Sequence, residues 1–361
     1  MTQIAEASVL MVCGGTGGHI YPALAIADSL RAQGIQKITF AGRLDSMEEK
    51  LVKPLWPFAP ITAVPLARGS FVQNISMPFR LIASIWRARR VIRDIKPRFV
   101  VATGGYVSLP IMLAAGWCKV PVYLQEQNAV AGIANRIGAR FAKRIFVTSE
   151  DAAKAFPLGK TRIQGNPVRA LPQAGSLAMP KEYQGAQWKI LALGGSQGAR
   201  GINQKINESL DRISKRSDVA LVWQAGVKNV EVFQKGNVPS HVTVAGFLNP
   251  VYAYIDHADL LISRAGASTL AEILAFGKPS VLLPFPFATA NHQEHNARVL
   301  ERTGAALVEL DSDPNDLWNK VEHLLDHPEE LQQMAKQAKA MGMPDAADRI
   351  AHDLLVEETL L

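Results

Sequence analysis

Two glycine-rich turns carry the residues of this chain that are best suited to chemistry. The first, GGTGGH at residues 14–19, follows an apolar run and ends in a histidine, and the second, GGSQGA at residues 194–199, follows a similar run. Glycine lets the backbone approach an anion closely, and a helix N-terminus offers unpaired N–H groups. The pattern predicts a phosphate-binding turn in each place, with a tight structural turn as the alternative.

His19 adds the possibility of proton transfer to the first turn. Histidine takes up a proton near neutral pH, and the positive end of a helix dipole disfavours the imidazolium form. We therefore expect a neutral ring that can act as a general base. The alternative is a capping or packed histidine.

The spacing of the glycines excludes two common nucleotide loops. A dinucleotide fingerprint needs G-x-G-x-x-G, but counting from Gly15 the third position is Ile20, and no triplet works from Gly194 either. The chain also lacks G-x-x-x-x-G-K-[ST]. Neither turn is therefore a nicotinamide or ATP loop by pattern.

Both turns stand between an apolar strand and a helix-like run, and this alternation continues along the chain. Short apolar runs such as KITFAG, RFVVATGG, VALVWQAG and DLLISRAG are typical of buried parallel strands. The fold class is therefore predicted to be α/β, with a doubly wound parallel sheet in each half and strand ends that line a cleft. A boundary near GNPVR divides the chain into residues 1–167 and 168–344.

Composition and charge limit the class of protein further. The chain has 361 residues, and no stretch approaches the roughly 20 apolar residues that a membrane-spanning helix needs. No signal peptide is recognisable, and two cysteines without metal or redox spacing indicate a reduced, cytoplasmic setting. Lys and Arg exceed Asp and Glu by 12 through Pro167 and fall short by 5 after it. The basic half predicts an anionic partner.

Seven motifs in one order carry a family resemblance. They are GGTGGH at 14–19, GGYVS at 104–108, QEQN at 125–128, GNPVR at 165–169, GGSQGA at 194–199, RAGASTLAE at 264–272 and HQEHNA at 292–297. With them the chain resembles the MurG family of peripheral membrane glycosyltransferases over essentially its whole length. The resemblance implies the GT-B fold, two Rossmann-like domains. It also implies inverting transfer of GlcNAc from UDP-GlcNAc to the C4 hydroxyl of MurNAc on undecaprenyl diphosphate, which converts lipid I to lipid II.

The resemblance implies that residues 168–344 bind the donor. Ser196 and its turn would hold the UDP phosphates, Glu272 the ribose, and Gln293 the GlcNAc hydroxyls. Leu248 would contact uracil through its backbone. Further donor-binding candidates are Thr16, Gly17, Gly18 and Asn128 from the first domain, together with Arg169, Ala267, Ser268, Thr269, Leu270 and Ala271, with Arg264 a further cation near the nucleotide. The chain has His292 before Gln293 where the family often has a second glutamine, so the role of that neighbour stays open.

The first domain would then bind the acceptor. Gly14, Gly15 and Tyr106 would line its site, and the family gives two candidates for the catalytic base, His19 first and Glu126 second. Whether either takes the proton or only positions substrate stays open. A last helix, about residues 345–361, would pack back onto this domain, by analogy with other GT-B enzymes.

No cofactor and no essential metal are expected. The chain contains one Asp-x-Asp, Asp311-Ser312-Asp313, a pattern that binds a divalent ion in many glycosyltransferases. It precedes Pro314 and a helical run, so we interpret it as a helix cap.

Residues 70–96 predict a docking surface for the anionic cytoplasmic leaflet of the bacterial inner membrane. Ile75, Phe79, Ile82 and Trp86 form one apolar stripe, separate from a core-facing stripe on the same helix. Arginines surround it, including Arg80, Arg87 and Arg90, and such a combination suits anionic lipid. Trp117, Arg140, Lys143 and Arg144 are candidates to extend this surface. The alternative is a fully packed helix with solvated arginines.

Two rival functions stay open from the sequence. The first is another GT-B enzyme that acts on a UDP-sugar, such as an epimerase or a different lipid glycosyltransferase. The second is a non-enzymatic binder of nucleotide sugars or nucleic acid. Nucleic acid is not expected as a partner, because the basic residues lack interleaved aromatics and any nucleic-acid motif.

Overall fold

The computed structural model describes residues 2–61, 77–172, 175–195 and 197–361. The chain divides into two compact units. The first comprises Met1–Ala170 together with Pro344–Leu361, and the second comprises Leu171–Met343. Each unit is described by itself below.

The described part of the first unit contains a seven-stranded sheet in which every pairing is parallel, with strand order β3-β2-β1-β4-β5-β6-β7. The strands are β1 (Ser8–Val12), β2 (Lys37–Gly42), β3 (Phe58–Pro60), β4 (Phe99–Ala102), β5 (Val122–Glu126), β6 (Ala142–Val147) and β7 (Thr161–Ile163). Its helices are α1 (Thr2–Glu6), α2 (Gly17–Ala32), α3 (Met47–Val52), α4 (Met77–Ile95), α5 (Ser108–Trp117), α6 (Ile133–Gly138), α7 (Glu150–Ala153) and, from the end of the chain, α16 (Ala346–Glu357).

The second unit repeats this plan with six parallel strands among its described residues, in the order β10-β9-β8-β11-β12-β13. The strands are β8 (Trp188–Leu193), β9 (Val219–Gln224), β10 (Val242–Ala245), β11 (Leu260–Ser263), β12 (Ser280–Leu282) and β13 (Ala306–Val308). Its helices are α8 (Arg200–Glu208), α9 (Leu210–Ile213), α10 (Val230–Gln234), α11 (Val251–His257), α12 (Ala267–Ala275), α13 (His292–Arg302), α14 (Leu317–Asp326) and α15 (Pro328–Met341), with short 3₁₀ turns at Lys181–Tyr183 and Thr289–Asn291.

The central strands are apolar on both faces because helices cover both sides of each sheet. The side chains of β4 and β9 are buried along their whole length. A parallel sheet covered in this way needs continuous apolar runs rather than alternation. The predicted fold class, two Rossmann-like parallel-sheet domains, is confirmed.

Helix α16 belongs to the core of the first unit although the chain reaches it from the second. Ile350, Leu354 and Leu355 are fully buried against residues of β1 and α2. Glu358, just after the helix, accepts hydrogen bonds from the Tyr123 hydroxyl at 2.5 Å and the Lys143 ammonium at 3.0 Å. Apolar packing and buried polar contacts thus both fix this helix to the first sheet.

Candidate active site

The first glycine turn lies at the point where the strand order of the first sheet reverses. Strands β1 and β4 are neighbours, and the chain leaves them toward opposite sides of the sheet. The turn after β1 contains residues 13–16 and leads into α2, whose first turn includes His19, and the turn after β4 contains residues 103–107. Open α/β sheets bind ligands in the crevice at such a reversal point.

Glycine is needed here because the two turns touch through their backbones. A Cβ added to Gly105, whose φ is +86°, would be 2.1 Å from the carbonyl oxygen of Gly14. A Cβ added to Gly104, at φ +107°, would be 2.9 Å from Nδ1 of His19. Because both residues combine a positive φ with no room for a side chain, only glycine fits at either position. This close packing brings the backbone of residues 104–105 up to the histidine.

The surroundings of His19 determine which ring nitrogen carries the proton. Nδ1 lies 3.0 Å from the carbonyl oxygen of Thr103 and 2.9 Å from Oε1 of Gln127. The Gln127 amide is oriented by its own Nε2, which donates to the Thr103 oxygen at 2.6 Å. Two oxygen acceptors at Nδ1 require an N–H there, so the neutral ring carries its lone pair on Nε2. In its neutral form, the half-buried ring therefore has Nε2 as the nitrogen that can accept a proton.

Glu126, the second candidate base, is surrounded by donors. It ends β5 and is 1% exposed. One carboxylate oxygen accepts from the backbone and side-chain amides of Asn128, at 3.1 and 3.2 Å. The other accepts from the backbone of Gly132 at 3.0 Å and from Nδ2 of Asn135 at 2.9 Å. This geometry suits a carboxylate that orders the loop after β5.

A second buried carboxylate, Glu48, contacts the first glycine turn. It is the second residue of α3, is 1% exposed, and accepts from the backbone N–H of Gly15 at 3.4 Å. Tyr106 covers the same turn: its ring would be 3.5 Å from a Cβ added to Gly15, and burial raises the pKa of its hydroxyl. The amide of Gly15 therefore already has a carboxylate partner.

The other residues of the first turn form the beginning of α2. Thr16 occupies the N-cap position in extended conformation, with an exposed side chain that makes no capping bond. Gly17 and Gly18 form the first helical turn. Their N–H groups point along the helix axis toward its N-terminal side, where an anion is stabilised.

The second glycine turn has the equivalent position in the second sheet. Strands β8 and β11 are the neighbours at its reversal point. Gly194–Ala199 follows β8, and Arg264–Gly266 connects β11 to α12. The predicted phosphate ligand Ser196 lies outside the described residues.

Three predicted donor-binding groups meet at the N-terminus of α12. Gly266 is the N-cap, so the N–H groups of the following turn, residues 267–269, lack intrahelical partners. The Ser268 hydroxyl is buried without a hydrogen-bond partner among the described residues. A Cβ added to Gly266 would lie 4.0 Å from both Nε2 of Gln293 and Oγ1 of Thr269. This end of α12 therefore presents donors and hydroxyl groups suited to a polar ligand.

Glu272 lies within α12 and Leu248 follows β10, and the two residues differ in character. Burial raises the pKa of the Glu272 carboxyl above its usual value, and a 3.0 Å hydrogen bond from the Tyr252 hydroxyl offsets part of the increase. A half-buried carboxylate whose second oxygen is not engaged by Tyr252 is suited to accept hydrogen bonds from hydroxyl groups. The Leu248 side chain packs in the core, so its backbone is the part available to a ligand.

Arg264 and Asp311 form a salt bridge that joins the turns at this end of the sheet. Nη1 and Nη2 of Arg264 donate to the two oxygens of Asp311, at 2.6 and 2.9 Å. Nη1 also donates to the carbonyls of Leu283 and Pro284, at 3.0 and 3.1 Å. A Cβ added to Gly201 in α8 would overlap the Asp311 carboxylate. The pair thus links the segments after β11, β12 and β13 and lies against α8.

The interpretation of Asp311-Ser312-Asp313 as a helix cap is wrong. Helix α14 begins only at Leu317, with Asp316 at its N-cap position. Asp311 is engaged by Arg264, and Asp313 accepts from the backbone of Leu310 at 3.3 Å. The described residues contain no group of three or more His, Cys, Asp or Glu that could hold a metal ion.

Two further predicted residues are engaged at the surface of their units. Arg169 forms a half-exposed ion pair with Asp28 of α2, at 3.4 Å. His292 contacts the carbonyl oxygen of Thr289 at 2.7 Å through Nδ1, within the turn that precedes α13.

Helix α4 exposes the apolar stripe predicted for it. Phe79, Ile82 and Trp86 are 75%, 52% and 54% exposed, and Arg80, Arg87 and Arg90 are exposed beside them. Ala88 and Ile92 on the opposite side are buried. Ile75 lies outside the described residues. No helix within the described ranges is long and apolar enough to cross a membrane.

Aromatic and basic residues from other elements meet this stripe in part. Trp117 packs edge to face on Trp86, with ring centroids 5.3 Å apart, and the Arg89 guanidinium lies over both rings. Lys143 and Arg144 were expected to extend the basic surface but instead bind Glu358 and Glu357 at the end of α16. Their charges are neutralised in fixing that helix.

The fold and these sites define a class of protein. Two Rossmann-like domains, each with a glycine-rich turn at the reversal point of its parallel sheet, are the architecture of GT-B glycosyltransferases.

The chain belongs to glycosyltransferase family 28. Residues 9–147 match the N-terminal domain of this family and residues 189–350 its C-terminal domain. A protein of Desulfitobacterium hafniense strain Y51 is 36% identical over 95% of this chain and 97% of its own length. One of Salinibacter ruber is 38% identical, over 96% of each chain. Both are named UDP-N-acetylglucosamine–N-acetylmuramyl-(pentapeptide) pyrophosphoryl-undecaprenol N-acetylglucosamine transferase.

A solved structure agrees with these relatives. The crystal structure of Acinetobacter baumannii MurG superimposes with a TM-score of 0.81 at 29% identity, over 97% of this chain and 99% of that one. The resemblance inferred from the seven motifs is therefore confirmed.

Proposed function

We propose that this protein transfers GlcNAc from UDP-GlcNAc to the C4 hydroxyl of the N-acetylmuramyl sugar of a pyrophosphoryl-undecaprenol acceptor. The names of its full-length relatives support this reaction. The observation that carries the chemistry is the His19 ring, whose Nδ1 faces two oxygen acceptors and whose Nε2 therefore holds the lone pair.

The reaction is an inverting displacement. The acceptor C4 oxygen forms a bond to C1 of GlcNAc while the bond from C1 to the UDP oxygen breaks, and UDP leaves with the electron pair. The acceptor proton passes to Nε2 of His19. The proton held on Nδ1 by Thr103 and Gln127 stabilises the imidazolium that results, because both partners accept hydrogen bonds. Glu126 then has the separate task of ordering the loop that supplies Asn128.

The second unit binds the donor in this proposal. The unpaired N–H groups at the start of α12 and the unpartnered Ser268 hydroxyl bind the UDP phosphates. Glu272 accepts hydrogen bonds from the ribose hydroxyls, and the backbone of Leu248 contacts uracil. Gln293 accepts from the Phe285 backbone at 3.0 Å through Oε1, which leaves its NH₂ group to donate to GlcNAc.

The transfer requires no metal in this proposal. The helix dipole and backbone donors stabilise the leaving diphosphate in place of a divalent ion. Support comes from Asp311, the first acid of the Asp-x-Asp pattern, whose two oxygens are both occupied by Arg264. Activity that persists in EDTA is the expected result, and loss of activity with EDTA alone contradicts it.

The protein docks on the anionic cytoplasmic leaflet through α4. Phe79, Ile82 and Trp86 enter the interface, and the exposed arginines bind lipid phosphates, each contributing about 1 kcal/mol near the surface. We expect Phe79→Asp combined with Trp86→Asp to abolish co-sedimentation with anionic vesicles. Retained binding by this double variant would exclude α4 as the docking surface.

The base assignment is tested by UDP release with a lipid I analogue at saturating substrates. His19→Ala is expected to lower kcat by about 10²- to 10⁴-fold, the usual contribution of a general base. Gln127→Glu keeps an acceptor at Nδ1 and is expected to retain more activity than Gln127→Leu. Parental turnover in His19→Ala would show that this residue is not the base.

A further inference from the structure

Helix α6 presents an apolar stripe that the sites above do not use. Ile133 and Ile137 are four residues apart, hence on one face of the helix, and are 62% and 41% exposed. Phe141 follows at the same spacing just after the helix and is 47% exposed. Single exposed apolar residues are ordinary, but three within nine residues, two of them on one helix face, make this segment locally apolar.

One end of this stripe begins at the candidate acceptor site. Gly132 and Asn135, which flank Ile133, both donate to the Glu126 carboxylate. A Cβ added to Gly104 would lie 3.3 Å from Nδ2 of Asn135 and 2.9 Å from Nδ1 of His19. The first turn of α6 and the His19 ring therefore pack around the same residue.

The other end of the stripe reaches the exposed tryptophans. A Cβ added to Gly116 would lie 3.0 Å from the Phe141 ring, so this ring lies beside the residue that precedes Trp117. Trp117 in turn packs on Trp86 of α4. The six residues of α6 span about 9 Å, at 1.5 Å per residue. Exposed apolar residues thus follow one another from the start of α6, near His19, to the tryptophan pair at α4.

The charges beside the stripe match an amphiphile with an anionic head. Arg136 and Arg140, one on α6 and one just after it, are exposed among the three apolar side chains. Guanidinium groups bind phosphate oxygens, and the adjacent isoleucines offer no polar group to a ligand. An apolar chain attached to a phosphate group fits this combination.

We propose that this stripe binds the first isoprenoid units of the acceptor, between its diphosphate and the bilayer. The inference rests on the function proposed above. An apolar chain that leaves the bilayer to bring its sugar to the enzyme would otherwise be exposed to water, which is unfavourable. Ile133, Ile137 and Phe141 cover this segment, and the chain enters the bilayer near Trp117.

The test compares two acceptors with the double variant Ile133→Ser/Ile137→Ser. One acceptor carries the undecaprenyl chain in anionic vesicles, and the other carries a short alkyl group and is soluble in water. The expected result is a KM about tenfold higher for the undecaprenyl acceptor, equivalent to about 1.4 kcal/mol. The KM for the short acceptor stays at the parental value. Leu158→Ser, at a fully exposed leucine of the same unit, is the control and leaves both values unchanged.

Three outcomes would overturn the inference. An unchanged KM for the undecaprenyl acceptor shows that the stripe does not bind the chain. An equal increase for both acceptors shows an effect on the sugar site instead. Loss of vesicle co-sedimentation in the double variant shows that α6 serves membrane docking as a whole. Unchanged melting of the variant confirms that it folds, and failure of the parent protein on both acceptors refutes the proposed function instead.

Discussion

Replacing Asp311 with alanine is expected to destabilise the second unit by about 2 to 3 kcal/mol. The change removes two charge-assisted hydrogen bonds to Arg264, and charged hydrogen bonds are worth about 1.5 to 3 kcal/mol. Breaking a fully buried pair costs about 3 to 5 kcal/mol. The two side chains are 16% and 20% exposed, and Arg264 keeps the carbonyls of Leu283 and Pro284, so the cost is expected to fall below that of a fully buried pair.

Equilibrium urea unfolding measures this free energy, and thermal melting gives a second reading. For a unit of this size about 1 kcal/mol shifts the melting temperature by about 2 to 4 °C, so a decrease of about 5 to 10 °C is expected. Asp313→Ala is the matched control, because its exposed carboxylate has one backbone contact at 3.3 Å. This variant should stay within about 0.5 kcal/mol of the parent protein.

Asp311→Ala should also bind the donor less well. Arg264 holds the carbonyls that precede Phe285, and the Phe285 backbone in turn holds Gln293. The KM for UDP-GlcNAc is therefore expected to rise more than kcat falls. If Asp311→Ala unfolds like Asp313→Ala, the salt bridge contributes nothing and this reasoning is wrong. In a double-mutant cycle, the effects of Asp311→Ala and Arg264→Ala should be non-additive.

Three other changes have expected outcomes. Glu272→Gln removes a carboxylate whose pKa burial raises, so unfolding should show equal or higher stability, by up to about 1 kcal/mol, while calorimetry shows weaker UDP binding. Burial alone would raise the pKa of Glu309, but hydrogen bonds from two lysines, one of them Lys205, outweigh burial and keep the pKa low. The ionised carboxylate therefore stabilises the fold above about pH 4.3, and this contribution is lost as the pH falls through the lower folded pKa. Glu309→Gln should accordingly unfold more easily than the parent at pH 7 and similarly at pH 2. Gly104→Ala places a Cβ against His19 at a residue whose φ is +107°, so kcat should fall and the free energy of unfolding should drop by about 1 to 3 kcal/mol. Parental kinetics would show that the His19 ring tolerates displacement.

The sequence predicted the central strands well because their burial imposes continuous apolar runs. The run KITFAG coincides with β2. Strands β3 and β7 were not predicted, because each has only three residues and all of them are half-exposed or exposed. Their conformation depends on pairing with the adjacent strand, which a local pattern does not contain.

The sequence located the functional turns but not the side-chain pairs that order them. His19 was identified from its own neighbourhood, whereas Gln127 is 108 residues away and was noted only as part of a motif. Asp311 was assigned to the wrong element because its partner, Arg264, lies in another turn. Such pairs depend on which strands are neighbours, and strand order is a property of the assembled sheet.

The position of α16 has a consequence for synthesis on the ribosome. The core of the first unit includes Ile350 and Leu354, so it stays incomplete until they have been made, while Leu171–Met343 can already be complete. At about 5 to 20 residues per second, the roughly 190 residues after Ala170 take about 10 to 40 seconds. The unit that is made first is thus the last to finish folding, and during that interval its sheet exposes the apolar surface that α16 later covers. A chaperone that binds apolar segments should therefore associate with nascent chains that end between residues 171 and 345 more than with the released full-length protein.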